Sequence, residues 1–124
     1  MVSIDAGLAA AHAARGVVRA WLGARPCPTV TIETAELLVT ELVANAVRHA
    51  RADVVQLHLM DREPDTVRLA VDDDSPQPPT APTAMPDPVR VGGRGLWLVS
   101  QLASQWGWEP LPTGKRVWFE VPCS

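Results

Sequence analysis

The stretch Glu41-Leu42-Val43-Ala44-Asn45-Ala46-Val47-Arg48-His49 decides the fold. At about 3.6 residues per turn, Glu41, Asn45 and His49 are successive i, i+4 neighbours and form one polar stripe on a helix. Leu38, Val39, Leu42, Val43, Ala46 and Ala50 fill the adjoining face, so one side seats in a core while the polar edge beside it looks into a cleft. A helix that needed only solubility would place its polar groups opposite the core. Pro26 and Pro28 break the chain ahead of this helix. Thr29 or Thr31 is positioned to cap its start, with Glu33 and Glu36 suited to its positive end.

Working outward, Leu8, Ala11, Arg15, Val18 and Leu22 recur at helical spacing, and Gly23 stands where a terminating glycine would, which predicts an amphipathic helix over about 7–22. Val54 to Met60 and Val67 to Val71 read as strands joined by the polar turn 61–65. Six of the twelve prolines fall between Pro76 and Pro88, so neither helix nor sheet persists there, and loops of that length inside a compact domain are usually functional. A short helix is expected from Gly93 or Arg94 to about Ser104, then a closing hairpin, Trp106 to Leu111 and Arg116 to Val121. The order helix, helix, strand, strand, loop, helix, strand, strand implies an α+β two-layer sandwich, with helices packed on one face of a mixed, mostly antiparallel sheet.

With 124 residues and 47% hydrophobic content, residues 1–124 suit one domain with a sizeable core. The net charge of −3 leaves no basic footprint for nucleic acid. Cys27 and Cys123 lack metal-ligand spacing, and without a signal peptide they read as reduced thiols acting as small hydrophobes in a cytoplasmic protein. No apolar run reaches the roughly 18 residues that span a bilayer, so no membrane role is expected. His12, His49 and His58 are at no metal-ligand spacing. The five tryptophans read as core or interface filler rather than platforms for stacked bases.

Two further segments carry chemistry. Val71-Asp72-Asp73-Asp74-Ser75-Pro76-Gln77 closes the second strand, and Gly93-Arg94-Gly95-Leu96-Trp97-Leu98 opens the short helix. Taken singly, each is ordinary: Asp favours turns through bonds to backbone amides, and a lone Gly-x-Gly lacks the third glycine of a dinucleotide fingerprint. In this order along one chain, the three motifs resemble the ATP-binding domain of histidine kinases, gyrase B, Hsp90 and MutL. More closely they resemble its small subgroup of bacterial anti-sigma-factor serine/threonine kinases, of the actinobacterial regulatory type. The likeness spans nearly the whole chain.

The resemblance implies roles. Glu41 would orient or deprotonate the attacking hydroxyl, Asn45 would ligate Mg2+ bridging the triphosphate, and His49 would approach the phosphates. Asp73 would accept from the adenine amine, with Ser75 and Gln77 where the family has glycines. Gly93, Gly95 and Leu96 would form the phosphate cradle, where backbone amides meet phosphate at a helix N-terminus. The loop at about 76–92 would be the lid, and Arg94 or Arg90 would stabilise the transferring group. Arg116 would stand where the family usually has a small hydroxyl residue on the strand behind the adenine, its guanidinium either pointing away or narrowing the pocket.

These likenesses imply an ATP-dependent regulatory serine/threonine kinase using ATP and Mg2+. Its partners would be a small antagonist protein, a sigma factor, or both. The competing reading is a non-catalytic protein-binding module that holds nucleotide weakly or not at all. The family's regulators often carry an extra first strand that helps form a homodimer. Only Met1 to Ala6 precede the first helix here, so dimerisation is left open.

Overall fold

A computed structural model describes residues 1–62, 65–79 and 94–123, with Arg94 described by its backbone. The elements run β1 (Val2–Asp5), α1 (Ala10–Gly23), α2 (Thr29–His49), β2 (Val54–Arg62), β3 (Thr66–Asp73), α3 (Arg94–Leu102), β4 (Gln105–Leu111) and β5 (Gly114–Pro122). The five strands form one sheet in the order β1-β2-β3-β5-β4, and every pairing among them is antiparallel. The fold is α+β, with the helices on one face, as the sequence implies. Among the described residues no helix is long and apolar enough to cross a membrane.

β1 is an addition to the expected order. Its alternation of half-buried Val2 and buried Ile4 with exposed Ser3 and Asp5 lasts four residues, too short a run for a period of two to stand out. Pairing with β2 supplies what the short pattern lacks. The start of α2 also differs. Pro28 is the N-cap, with φ −59° and ψ 145°, and no side chain caps the helix. The Pro28 carbonyl accepts from Thr31 and Ile32 instead, at 3.0 and 3.1 Å. Proline's fixed φ sets the entry angle without help from a hydroxyl.

α2 is the central helix and packs on α1, α3, β2, β3 and β5. The apolar face read from its sequence is buried: Leu38, Val39, Leu42, Val43 and Ala46 all lie in the core. Sheet alternation supplies the facing layer, in which Leu57, Leu69, Val71 and Phe119 are almost fully enclosed. Each such side chain gains about 1.5–3 kcal/mol from leaving water. Glu36, buried on α2, is reached from α1 by Arg19 at 2.6 Å and by Arg15 at 3.8 Å, so it ties the two helices together rather than serving the helix end.

The opposite face of the sheet is polar. Arg68 and Arg62 both meet Glu120, at 2.8 and 3.5 Å, and the Arg68 guanidinium sits 3.8 Å from the centre of the Trp118 ring. That ring lies over Gly107, where a Cβ would come within 2.6 Å of it. Beneath this cover Ala70, the register partner of Trp118, is buried although it faces away from the helices.

Cys27 and Cys123 form a disulfide across 96 residues of sequence, with their Cα atoms 4.4 Å apart. This corrects their reading as reduced thiols. Sequence spacing says nothing about two cysteines that the fold itself brings together, here the turn before α2 and the residue after β5.

Candidate functional site

Between α2, the ends of β3 and β5, and the start of α3 lies a cavity of about 220 Å³. α2 contributes Leu42, Asn45, Arg48 and His49; β3 contributes Val71 and Asp73; Lys115 and Val117 come from β5, and Leu96 from α3. The cavity exists because α2 presents its polar stripe, rather than its apolar face, at the point where the sheet and α3 diverge. Ser75, Gln77, Pro78 and Pro79 close one side.

At one end stands Asp73, 7% exposed. Its Oδ1 accepts from the Ser75 amide at 2.7 Å, the local turn bond that favours Asp at this place. Lys115 Nζ lies 3.6 Å from the same oxygen and donates to the Ser75 carbonyl at 3.2 Å. His49 Nδ1 is 3.3 Å from Asp73 Oδ2. The ring therefore turns toward the Asp73 end, whereas the family resemblance implies an approach to the phosphates. Register fixes the Asp73–Lys115 meeting, since the two are paired across β3 and β5. Gly114 allows it, because a Cβ there would come within 2.0 Å of the Asp73 carbonyl oxygen.

Asn45 also lines the cavity, and beside it Glu41 and Asn45 meet Gly95. A Cβ on Gly95 would stand 3.0 Å from Glu41 Cβ, 3.2 Å from Glu41 Oε2 and 3.5 Å from Asn45 Nδ2. Only a glycine lets the start of α3 approach α2 so closely. The carboxylate, the carboxamide and the opening of α3 are thus one juxtaposition, although they are far apart in sequence. Gly93, Arg90, the Arg94 side chain and most of the 76–92 loop lie outside the described residues.

Of the two orientations open to Arg116, the structure shows the one that points away from the cavity. Strand alternation turns it to the polar face, where it donates to Asp72 at 2.7 and 3.3 Å and reaches Glu109 at 3.5 Å. His58 joins Asp72 at 3.1 Å. Burial alone would raise the Asp72 carboxyl, but the Arg116 and His58 hydrogen bonds hold it below the ordinary carboxylate value. The residue that faces the cavity is its neighbour Lys115. Two lining cations, Lys115 and Arg48, went unread in the sequence. Counting alternation outward from Val117 and Phe119, which must face the core, would have found Lys115.

A family model described as the histidine kinase-like ATPase domain matches residues 4–121. Among solved structures, the RsbU and RsbW domains of Rv1364c from Mycobacterium tuberculosis align at a TM-score of 0.65 and 22% identity, covering 98% of this chain and 33% of that one. The histidine kinase domain of the EL346 blue-light activated histidine kinase from Erythrobacter litoralis aligns at 0.58 and 25% identity, over 97% of this chain and 62% of that one. A longer structure of the same kinase gives 0.59 and 24%, over 98% and 42%. This chain thus spans 33% to 62% of the lengths of those structures. No curated protein matches the sequence. With the family model running from β1 to the end of β5, the chain belongs to the histidine kinase-like ATPase domain family.

Proposed function

We propose that this chain is an ATP-binding regulatory serine/threonine kinase of the anti-sigma type, which phosphorylates a small antagonist protein, sequesters a sigma factor, or does both. One observation carries the reading: Asn45 and a buried Asp73 line one cavity, and Glu41 and the start of α3 at Gly95 come together beside Asn45. The likeness to a structure that includes an RsbW domain supports the anti-sigma part.

Asn45 offers a neutral amide oxygen to a hard cation without adding negative charge beside phosphates. Among the described residues no three His, Cys, Asp or Glu side chains gather to hold a metal. A magnesium on Asn45 would take its other ligands from phosphate and water, which is how this ion is commonly held. The residues present therefore fit Mg-ATP, which when bound supplies the transferable phosphoryl group. Glu41 accepts the proton of the incoming serine or threonine hydroxyl. Leu42, Val71, Leu96 and Val117 give the cavity its apolar walls, and Gly95, close to Glu41 and Asn45, would let the start of α3 approach the phosphates.

Mg-ATP at a hundred times its dissociation constant should stabilise the protein by about 2.7 kcal/mol in a thermal shift. Glu41→Gln should keep that shift while losing phosphoryl transfer to the antagonist by about 100-fold or more. Absence of any shift at millimolar nucleotide would overturn the reading. It would favour instead a non-catalytic protein-binding module, for which the existing partners of Asp73 on both its oxygens speak.

A further inference from the structure

We infer that the Cys27–Cys123 bond is a reversible redox clasp and not a permanent crosslink. The chain is folded with the bond closed or open, and a small-molecule thiol or its disulfide moves it between the two forms. The clasp stands whatever ligand the cavity takes.

Cys27 lies in the turn between α1 and α2, and Cys123 follows β5. Each is placed by contacts that the bond itself does not make. The Cys123 amide donates to the Asp65 carbonyl at 2.7 Å, and the Cys27 amide donates to the Arg25 carbonyl at 2.7 Å. Arg25 is anchored in turn. Its guanidinium lies 3.5 Å from the centre of the Trp21 ring, donates to the Trp21 carbonyl at 2.7 Å and meets Asp61 at 2.8 and 3.0 Å. Asp61 is on β2 and Asp65 immediately precedes β3, so one end of that strand pair positions both cysteines. Two thiols held in this way stay within reach of each other when the bond is open.

Three observations favour a bond that opens. A crosslink is usually needed only in chains below about 40–80 residues, whereas this one has 124 and encloses Leu22, Leu38, Leu57, Leu69 and Phe119. Both cysteines are half-buried at the rim of that core, where an attacking thiolate reaches sulfur, and exposed disulfides are the labile ones. Finally, the bond joins elements that are otherwise loosely tied. α1 packs chiefly on α2, and the Arg25–Asp61 pair, exposed on its Asp61 side, is of a kind that contributes little in water. Opening therefore frees the α1–α2 turn from the sheet. The cavity, formed at the opposite ends of α2 and β5, keeps its walls.

The chemistry is thiol–disulfide exchange. A small-molecule thiolate attacks one sulfur of the pair, forming a mixed disulfide and expelling the other cysteine as a thiolate, which takes up a proton. A second thiol attacks the mixed disulfide, releasing the remaining cysteine and the small-molecule disulfide, so two electrons and two protons have passed to the protein. Closing is the reverse, with the small-molecule disulfide as oxidant.

The test is equilibration of the intact chain with reduced and oxidised glutathione in varied ratio, read by alkylation and intact mass. The bond should open fully and close again across that series. The open form should keep its far-ultraviolet circular dichroism and melt about 10 °C lower than the closed form. Its amide NMR peaks should move for residues 21–29 and 121–123 and stay in place around Asn45 and Lys115. The double variant Cys27→Ser/Cys123→Ser should melt with the open form and ignore the buffer. A bond that survives the most reducing ratio overturns the inference, and so does a chain that unfolds when the bond opens. Air-oxidised protein that still alkylates at both cysteines overturns it as well. The unaltered chain decides all three points even if the double variant does not fold.

Discussion

Asp72 and Asp73 are neighbours on one strand, and each gathers a histidine and a cation, yet the two clusters are built differently. On the polar face Asp72 receives Arg116 through two hydrogen bonds and His58 at 3.1 Å. On the helix face Asp73 is met by His49 at 3.3 Å and Lys115 at 3.6 Å. The first set is short, bidentate and partly solvated. The second has looser charged partners beside a 2.7 Å bond from the Ser75 amide, is more deeply enclosed, and borders a cavity of about 220 Å³. Close ion pairing by a planar guanidinium satisfies both carboxylate oxygens and leaves little for a ligand to do. A buried carboxylate without a bidentate guanidinium keeps capacity for another donor. Alternation along β3 is what separates a cluster on the open face of the sheet from one that borders the cavity.

Three experiments bear on that contrast. Asp73→Ala should show the largest effect, a loss of about 3–5 kcal/mol by denaturant titration, because it leaves the Lys115 ammonium buried without its counter-ion. The equivalent Asp72→Ala should cost about 1 kcal/mol or less, since Arg116 and His58 can turn to water. Equal losses would erase the distinction between the two clusters. Gly95→Ala should come next. Its new methyl presses on Glu41 and Asn45, and nucleotide affinity should fall about tenfold, equivalent to about 1.4 kcal/mol, with a smaller change in melting temperature.

The smallest effect concerns pH. The Asp72 carboxyl is held below its ordinary value, so the stability it contributes is present above the unfolded value of about 3.9. That contribution is lost as pH falls through the lower folded value. Asp61, held down by the hydrogen bonds from Arg25, acts in the same direction. The unaltered protein should therefore lose stability below about pH 4 more steeply than Asp72→Asn. Identical acid slopes for the two would show that the polar face does not hold its charge as described.

Much of the fold was legible because its signals are long. The 21 residues of α2 repeat their apolar face often enough to define it, and the two hairpins carry turn residues between alternating runs. β1 was missed because four residues hold too few repeats, and the disulfide because pairing is a property of the folded chain. The convergence of Glu41, Asn45 and Gly95 was implied by the family resemblance and not by periodicity, since their distances depend on how α3 meets α2. Lys115 is hard to single out because Arg116 is one residue away, and a one-residue slip in a strand exchanges one face for the other.

A sheet clad by helices on one side only exposes its other side, which invites a second copy to lie flat against it. Here the indole of Trp118 is laid crosswise over Gly107, with the Arg68 guanidinium against the ring and carboxylates on the strands around them. That cladding breaks the apolar strip a stacked sheet would need and obliges any intruder to desolvate charges. The protein can thus keep one face of its sheet in water while the other stays covered by its helices.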